Sequence, residues 1–241
     1  MKLKKAGKVL VILALVLALL IGGGFVYLYF NGMSGMRNTT EAADSQIKIA
    51  CVGDSITYGH GTTGWPRNTY PSVLQNLLGE GYHVNNYGVS SYAVQNTADR
   101  PYRTLPHYQE SLSYGADFVV FMMGSNDAKP ENWIDEDHFK ENLIAILDSY
   151  SDAQIILCTP AAAFFLEGQT EDVTSHDIQP LVVERIAEIT RQVAEERGCT
   201  LLDIHSFTAQ HPEWFKTDGV HPGNEGAAAI AREVYALLTE N

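Results

Sequence analysis

The sequence is poor in the residues that build disulfide frameworks, metal centres and redox motifs. Its 241 residues include only three cysteines, Cys51, Cys158 and Cys199, and this odd number argues against a disulfide framework. No C-x-x-C or H-E-x-x-H motif occurs, so the sequence predicts no metal site. Cys51 and Cys158 lie within apolar runs, and we interpret both as buried core residues. The G-x-S-x-G motif is missing too, which leaves an α/β-hydrolase nucleophile elbow without its central signature.

Basic residues are also scarce. The chain has 16 Lys and Arg against 29 Asp and Glu, for a net charge of −13. Residues 1–44 hold five of the basic and two of the acidic residues, so the remainder carries 11 basic and 27 acidic residues, a net charge of −16. Such a surface disfavours nucleic acid and anionic lipid head groups as partners. A neutral or weakly charged substrate is therefore expected, and no nucleic-acid partner.

The N-terminal segment 1–31 has the pattern of a transmembrane signal anchor. Four lysines precede the stretch 9–30, which contains no charged residue. At a rise of about 1.5 Å per residue such a helix crosses a hydrocarbon layer of about 30 Å. The lysines favour the cytoplasmic side, so the rest of the chain is predicted to be membrane-anchored and extracytoplasmic. Secretion after cleavage of a signal peptide remains the alternative.

Residues 32–45 are rich in Gly, Ser, Asn, Thr and Ala and are interpreted as a flexible tether, leaving 46–241 as one folded domain. Five apolar runs in this domain are typical of buried strands: 47–52, 82–87, 117–123, 154–158 and 199–204. Helical periodicity marks the stretches 71–78, 139–150, 178–197 and 226–238. This alternation predicts an α/β fold, a mostly parallel sheet with helices on both faces. Ligands bind beyond the carboxyl ends of such strands.

Ser55 lies two residues after the first predicted strand, in the segment Gly53-Asp54-Ser55. A serine in such a turn is often only a helix cap, and a nucleophilic serine needs a base. The segment 218–222 (DGVHP) supplies Asp218 and His221, three residues apart, so one loop can present a carboxylate and an imidazole together. An ordinary exposed turn, followed by a last helix with Asn224 as its cap, is the alternative.

Acyl transfer also requires donors for the developing oxyanion. Asn126, in the segment 124–127 (GSND) after the third strand, can offer its side-chain N–H groups. Gly88 follows the second strand, and its backbone N–H is not obstructed by a side chain. A helix cap for Asn126 and a tight turn for Gly88 are the alternatives.

Four segments in this order resemble the conserved blocks of the SGNH, or GDSL-like, hydrolase superfamily. They surround Ser55, Gly88, Asn126 and His221, and Ile56 stands where the family's name has leucine. The resemblance implies a flavodoxin-like three-layer α/β/α sandwich with a five-stranded parallel sheet. It also implies a Ser55–His221–Asp218 triad that needs neither a metal nor an organic cofactor. The oxyanion donors would be the backbone N–H groups of Ser55 and Gly88 and the side chain of Asn126.

Loops on the same side of the sheet carry further candidates for substrate binding: Asp54, His60, Tyr102, Lys129 and Trp133. We interpret Asp127 as a supporting or capping group beside Asn126. The remaining histidines, including His176, are interpreted as surface or structural residues.

The segment 124–133 (GSNDAKPENW) is similar to acetylesterase-like members of the superfamily. This similarity predicts an enzyme that removes acetyl groups from carbohydrate or glycan esters outside the cytoplasm. A lysophospholipase or thioesterase acting on longer acyl chains is the alternative, and a non-catalytic carbohydrate-binding module is a third. The oligomeric state is left open.

Overall fold

The computed structural model of the chain describes residues 2–31, 38–166, 168 and 173–240, and within the N-terminal helix the side-chain environment of 7–24. This helix, α1, spans Lys2–Asn31. Its segment Gly7–Gly24 has a mean hydropathy of 2.4 and is fully exposed, so by length and composition it is able to cross a membrane. A signal sequence has the same properties, and the helix fits both predicted alternatives.

The centre of the domain is one five-stranded sheet. Its strands are β1 (Ile47–Gly53), β2 (Tyr82–Asn86), β3 (Phe118–Met122), β4 (Gln154–Cys158) and β5 (Thr200–Leu202). They are arranged in the order β2-β1-β3-β4-β5, and every neighbouring pair is parallel. All five strands correspond to apolar runs in the sequence, and the predicted parallel sheet is confirmed.

Helices cover both faces of this sheet. They are α2 (Ser55–Tyr58), α3 (Tyr70–Leu78), α4 (Pro106–Ser113), α5 (Glu136–Leu147), α6 (Pro180–Arg197), α7 (Ile204–Ala209) and α8 (Asn224–Thr239). Alternate strand residues point to opposite faces. Val119 and Phe121 pack in the cluster formed with α5 and α6, whereas Val120 and Met122 pack in the cluster formed with α3 and α8. The predicted α/β/α sandwich is therefore confirmed.

Three of the helices differ in detail from the sequence-based expectation. The N-cap of α8 is Gly223, and Asn224 is the first residue of the helix. The Asn224 side chain instead binds Thr63, accepting from its N–H at 2.8 Å and donating to its hydroxyl at 2.9 Å. The helices α4 and α7 were not predicted, because segments this short bury too few apolar residues to establish a helical period.

Part of the predicted tether is attached to the sheet, although its residues 32–37 lie outside the described ranges. Asn38 forms an isolated antiparallel bridge with Asn86 at the end of the edge strand β2. The Thr40 N–H donates to Asn85 Oδ1 at 2.9 Å, and Asn85 Nδ2 donates to the Thr40 carbonyl at 3.0 Å. These bonds cover polar groups that an edge strand otherwise leaves open, so the neighbourhood of Thr40 is not a free linker.

Candidate active site

Ser55 is the first residue of the short helix α2, directly beyond the carboxyl end of β1. Asp54 is the N-cap, and its side chain accepts a hydrogen bond from the Ile56 N–H at 2.9 Å. Gly59 ends the helix in the left-handed conformation with φ +101°. Because the first N–H groups of a helix have no intrahelical acceptor, the Ser55 backbone N–H is available as a donor at this sheet edge.

The three residues predicted as a triad form a continuous hydrogen-bonded chain. Ser55 Oγ lies 2.8 Å from His221 Nε2, and His221 Nδ1 lies 2.8 Å from Asp218 Oδ2. The other carboxylate oxygen, Oδ1, accepts the backbone N–H groups of Val220 and His221, each at 2.9 Å. The carboxylate is therefore held by its own loop and can keep the His221 proton on Nδ1, which leaves Nε2 free to accept the proton of Ser55.

Asp218 is held in its ionised form. Burial raises the pKa of its carboxyl, but hydrogen bonds from His176 and His221 oppose this effect and lower the pKa well below its usual range. A carboxylate that stays charged stabilises a protonated imidazole beside it. The charge of Asp218 is therefore compatible with the triad role that the sequence predicts for it.

Asn126 begins a short 3₁₀ helix that follows β3, and its side chain lines the cavity beside Ser55. Its Nδ2 donates one hydrogen bond to the Tyr92 carbonyl at 3.1 Å. A side-chain amide has two N–H groups, so a second donor remains for a ligand. The Asn126 carbonyl accepts from Asn132 Nδ2 at 2.8 Å, which fixes the backbone from which the amide projects.

Asp127 stabilises the loop that follows β3. It is fully buried, and its two carboxylate oxygens accept the backbone N–H groups of Val94 and Gln95 at 2.9 Å and 2.8 Å. Burial raises the pKa of Asp127 to about 7, although these hydrogen bonds lower it. Asp127 therefore ties the loop after β3 to the loop after β2, in agreement with the supporting role expected for it.

Gly88, which is predicted as an oxyanion donor, forms a hydrogen bond within its own turn. Its N–H already donates to Asn86 Oδ1 at 2.9 Å, and Gly88 is not among the residues that line the cavity around Ser55. A Cβ atom at this position would lie 2.2 Å from the Tyr58 backbone nitrogen. Glycine is thus required here because β2 ends in close contact with the backbone of α2.

The cavity above the triad has a volume of about 250 Å³. Its walls are mostly polar and consist of Ser55, His60, Ser90, Ser91, Asn126, Lys129, Ser175, His176, Asp177, Ile178 and His221. His60 and Lys129, two of the predicted substrate-binding candidates, therefore line this cavity. Ile178 is the one aliphatic side chain among the described residues of the wall. The hydroxyl of Ser90 is buried and has no hydrogen-bond partner among the described residues, so it is available to a ligand.

His60 packs directly on the ring of His221. The ring centroids of His60 and His221 are 4.3 Å apart. Gly61, with φ +89°, allows this approach, because a Cβ there would lie 2.8 Å from His221 Cβ. Burial, together with the neighbouring His221 and His176, lowers the pKa of His60 to about 4. His60 is therefore neutral near pH 7.

Three of the predicted substrate-binding residues do not reach the cavity. Tyr102 is fully buried in the core, and its hydroxyl donates to the Tyr87 carbonyl at 2.6 Å. Trp133 packs on the same core beside Phe139, with ring centroids 6.3 Å apart. Asp54 is 1% exposed and serves as the cap of α2. The two aromatic rings face the interior because they pack in the core, and the Asp54 carboxylate does so because it caps α2.

Other residues of the wall were missed from the sequence, above all His176. Its Nε2 lies 3.4 Å from Asp218 Oδ2. His176 belongs to the connection between β4 and α6, which has neither a regular period nor a motif that indicates its path. Ser91 (φ +72°) and Asp177 (φ +59°) are the non-glycine residues with positive φ in the described ranges. Both line the cavity, so unusual backbone geometry is concentrated there.

Comparison with known proteins agrees with this architecture. The family model described as GDSL-like Lipase/Acylhydrolase matches residues 51–229. An acetylxylan esterase of Xylanibacter ruminicola is 29% identical over 224 residues, which cover 84% of this chain and 45% of that protein. The chain thus spans less than half the length of this relative. An isoamyl acetate-hydrolyzing esterase of Schizosaccharomyces pombe is 25% identical over 202 residues, covering 80% of this chain and 75% of that protein.

Solved structures support the same fold. A carbohydrate acetylesterase family member from Sinorhizobium meliloti superposes with a TM-score of 0.67 at 21% identity, covering 80% of this chain and 97% of that structure. The matched family model extends from β1 into α8 and includes both ends of the hydrogen-bonded chain from Ser55 to Asp218. The chain therefore belongs to the GDSL-like lipase/acylhydrolase family of carboxylic ester hydrolases.

Proposed function

We propose that this chain hydrolyses short-chain esters, above all acetyl esters of carbohydrates, through an acyl-enzyme formed on Ser55. The observation that carries the proposal is the pair of 2.8 Å hydrogen bonds that joins Ser55, His221 and Asp218 at the floor of the cavity. A serine in contact with an oriented imidazole is an activated nucleophile. No metal ion or organic cofactor has a part in this chemistry.

The reaction proceeds in two halves. Ser55 Oγ attacks the ester carbonyl carbon while His221 Nε2 takes the hydroxyl proton, giving a tetrahedral oxyanion. Collapse of this intermediate breaks the bond to the alcohol oxygen, and His221 returns the proton to that leaving group. Water then repeats the sequence on the acyl-enzyme and releases the acid and free Ser55. Asp218 keeps the His221 proton on Nδ1 and offsets the imidazolium charge throughout.

Two groups around the cavity serve as oxyanion donors in this proposal. They are the Ser55 backbone N–H, which lies at the start of α2, and the Asn126 N–H that is not bound to Tyr92. The Gly88 N–H would join them only by leaving Asn86 Oδ1. Each donor of this type contributes about 10²–10³-fold to the rate.

The size and polarity of the cavity favour a small acyl group on a polar alcohol. The cavity has a volume of about 250 Å³, and Ile178 is the one aliphatic side chain among its described residues, so it offers little room or apolar surface for a long acyl chain. Serine hydroxyls, Lys129 and Asp177 can bind the hydroxyl groups of a sugar. The relative named as an acetylxylan esterase supports the same substrate class.

The exposed apolar segment of α1 supports a location at a membrane, with the catalytic domain outside the cytoplasm. A catalytic domain outside the cytoplasm can reach acetylated glycans there. Protease treatment of intact cells that express the full chain tests this location, since an extracytoplasmic domain is digested and a cytoplasmic one is protected.

The decisive experiment measures hydrolysis of p-nitrophenyl acetate, butyrate and octanoate, and release of acetate from acetylated xylan, by the full-length chain. We expect the acetate ester to be cleaved fastest and xylan to be deacetylated. Ser55→Ala should lower both activities at least ~10³-fold, because the acyl-enzyme no longer forms. Ser113→Ala, an exposed position on α4, is the matched control and should leave both activities unchanged.

Preferential cleavage of octanoate would favour the lysophospholipase or thioesterase alternative. Full activity of the Ser55→Ala variant would remove Ser55 as the nucleophile.

A further inference from the structure

Three imidazoles and one carboxylate are concentrated beside the proposed nucleophile. His176 Nε2 lies 3.4 Å from Asp218 Oδ2, and His221 Nδ1 lies 2.8 Å from the same oxygen. One donor atom from each of these three residues lies within 4.8 Å of the donor atoms of the other two. The ring of His60 lies 4.3 Å from that of His221 and 6.3 Å from that of His176. Acyl transfer uses only His221 to accept the proton, so it does not require His60 and His176 as bases.

The spacing of these donors matches that of ligands around one transition-metal ion. Two ligands that each bind Zn²⁺ tetrahedrally at about 2.0–2.1 Å lie about 3.3–3.4 Å apart. His176 and Asp218 are already at this separation, and His221 is within reach of the same point. Imidazole and carboxylate are also a donor set that suits zinc and its neighbours. The side chain of His176 is 43% exposed, so an ion has a path from solvent.

We propose that His176, Asp218 and His221 form an inhibitory binding site for a divalent transition-metal ion of the zinc type. The ion is not a cofactor for ester hydrolysis, because it occupies the residues that the reaction requires. The binding itself depends only on the donor geometry, whereas the inhibition rests on the proposed role of His221 as the base.

The inhibition follows from the position of one proton. Without metal, His221 carries its proton on Nδ1, bonded to Asp218, and Nε2 accepts from Ser55. A metal ion on Nδ1 requires that nitrogen to be unprotonated. The neutral ring then carries its proton on Nε2, which becomes a donor and can no longer take the proton of Ser55. The ion also competes for Asp218, so both functions of the base system are lost together.

Titration of the full-length chain with ZnCl₂, followed by calorimetry, tests the binding without reference to activity. We expect one tightly bound ion per chain, and at least about tenfold weaker binding in His176→Asn, since each supporting group of a metal site contributes about 10–100-fold to affinity. Co²⁺ in place of Zn²⁺ should give the visible absorption of a low-coordinate site. The same zinc concentrations should inhibit hydrolysis of p-nitrophenyl acetate, and EDTA should reverse the inhibition.

The matched control is His211→Asn. His211 also bonds a carboxylate, Glu213 Oε1, at 2.9 Å, but it lies on the surface away from the cavity. Its replacement should change neither the zinc affinity nor the inhibition, with each variant compared with its own metal-free rate. Equal affinity of wild type and His176→Asn would overturn the proposal, as would absence of binding at millimolar zinc. If the metal-free chain shows no esterase activity but binds zinc through His176, the proposed function fails and the metal site stands.

Discussion

The Phe164 N–H donates a hydrogen bond of 2.8 Å to the carbonyl of Gly219. Gly219 stands between Asp218 and His221 in the loop that presents the base, with φ +72°. A Cβ atom on Gly219 would lie 2.3 Å from the Phe164 carbonyl oxygen. The connection between β4 and α6 therefore packs at Phe164 against the backbone of the loop that holds Asp218 and His221, so closely that only glycine fits at position 219.

Replacement of this glycine should damage both stability and activity. Gly219→Ala adds a side chain at positive φ, which costs about 1–3 kcal/mol, and it also forces the two segments apart. We expect a lower Tm and a lower kcat, because Asp218 and His221 lose their orientation. Gly198→Ala is the matched control, since Gly198 has φ +63° but open space around its Cβ position. This variant should lose stability through strain alone and keep its kcat.

Equal effects of the two alanine variants on kcat would mean that the contact with Phe164 does not orient the base. Thermal unfolding monitored by circular dichroism and steady-state kinetics on p-nitrophenyl acetate distinguish the two results.

Asn126 is expected to act on the transition state more than on the bound substrate. Asn126→Ala removes one oxyanion donor, so kcat should fall about 10²–10³-fold with little change in KM. Asn96→Ala, an exposed position in the facing loop, should leave both constants unchanged. A rise in KM at constant kcat would instead identify Asn126 as a substrate-binding group, and a Tm measurement checks that the loop remains folded.

Ile178 should determine the length of the acyl chain. It is 2% exposed and is the aliphatic residue of an otherwise polar wall. Ile178→Ala removes three carbon atoms, so the ratio of butyrate to acetate hydrolysis should rise. The change should also lower the free energy of unfolding by about 2–5 kcal/mol. Ile189→Ala, which truncates an equally buried isoleucine of α6 in the same core, is the control for the loss of stability. An unchanged chain-length profile in Ile178→Ala would show that the acyl group lies elsewhere.

His60 should make the folded state sensitive to acid. Burial and the neighbouring imidazoles lower the pKa of His60 from its ordinary 6.5 to about 4. As the pH falls through this interval, the unfolded chain binds a proton that the folded chain does not, so the free energy of unfolding decreases. His60→Asn removes this difference. We expect its Tm, relative to that of the wild type, to improve between pH 7 and about pH 4.5. A Tm difference that is independent of pH would contradict this account.

Much of the fold was predictable because the signals that carry it are local. Runs such as Gln154–Cys158 are apolar on both faces, which is the pattern of a strand covered by two helical layers. Ser55 was identifiable because it follows the end of β1 in a short motif. Asp218 and His221 were identifiable because they lie three residues apart in a short motif before the last helix. Asp127 was also interpreted as a supporting group from its position beside Asn126.

The direction in which side chains point was decided by tertiary structure alone. Tyr102 occurs in a loop like the other candidates, yet it packs into the core. Burial of its ring is favourable, and its hydroxyl donates a hydrogen bond to the Tyr87 carbonyl. The N–H of Gly88 is bonded to Asn86 by a turn that no motif specifies. His176 reaches Asp218 only because two segments that are distant in the sequence meet in the fold.

The sequence by itself therefore determined the five strands, the longer helices of the domain, the N-terminal apolar helix and the candidate residues of the hydrogen-bonded chain from Ser55 to Asp218. These depend on apolar periodicity and on the residue types at the ends of elements, and both are features of short stretches of the sequence. The walls of the cavity, the histidines around His221 and the glycine contact at Phe164 depend on how distant segments meet. Such contacts follow from packing and hydrogen bonding between residues far apart in the chain, and they exist only once the chain has folded.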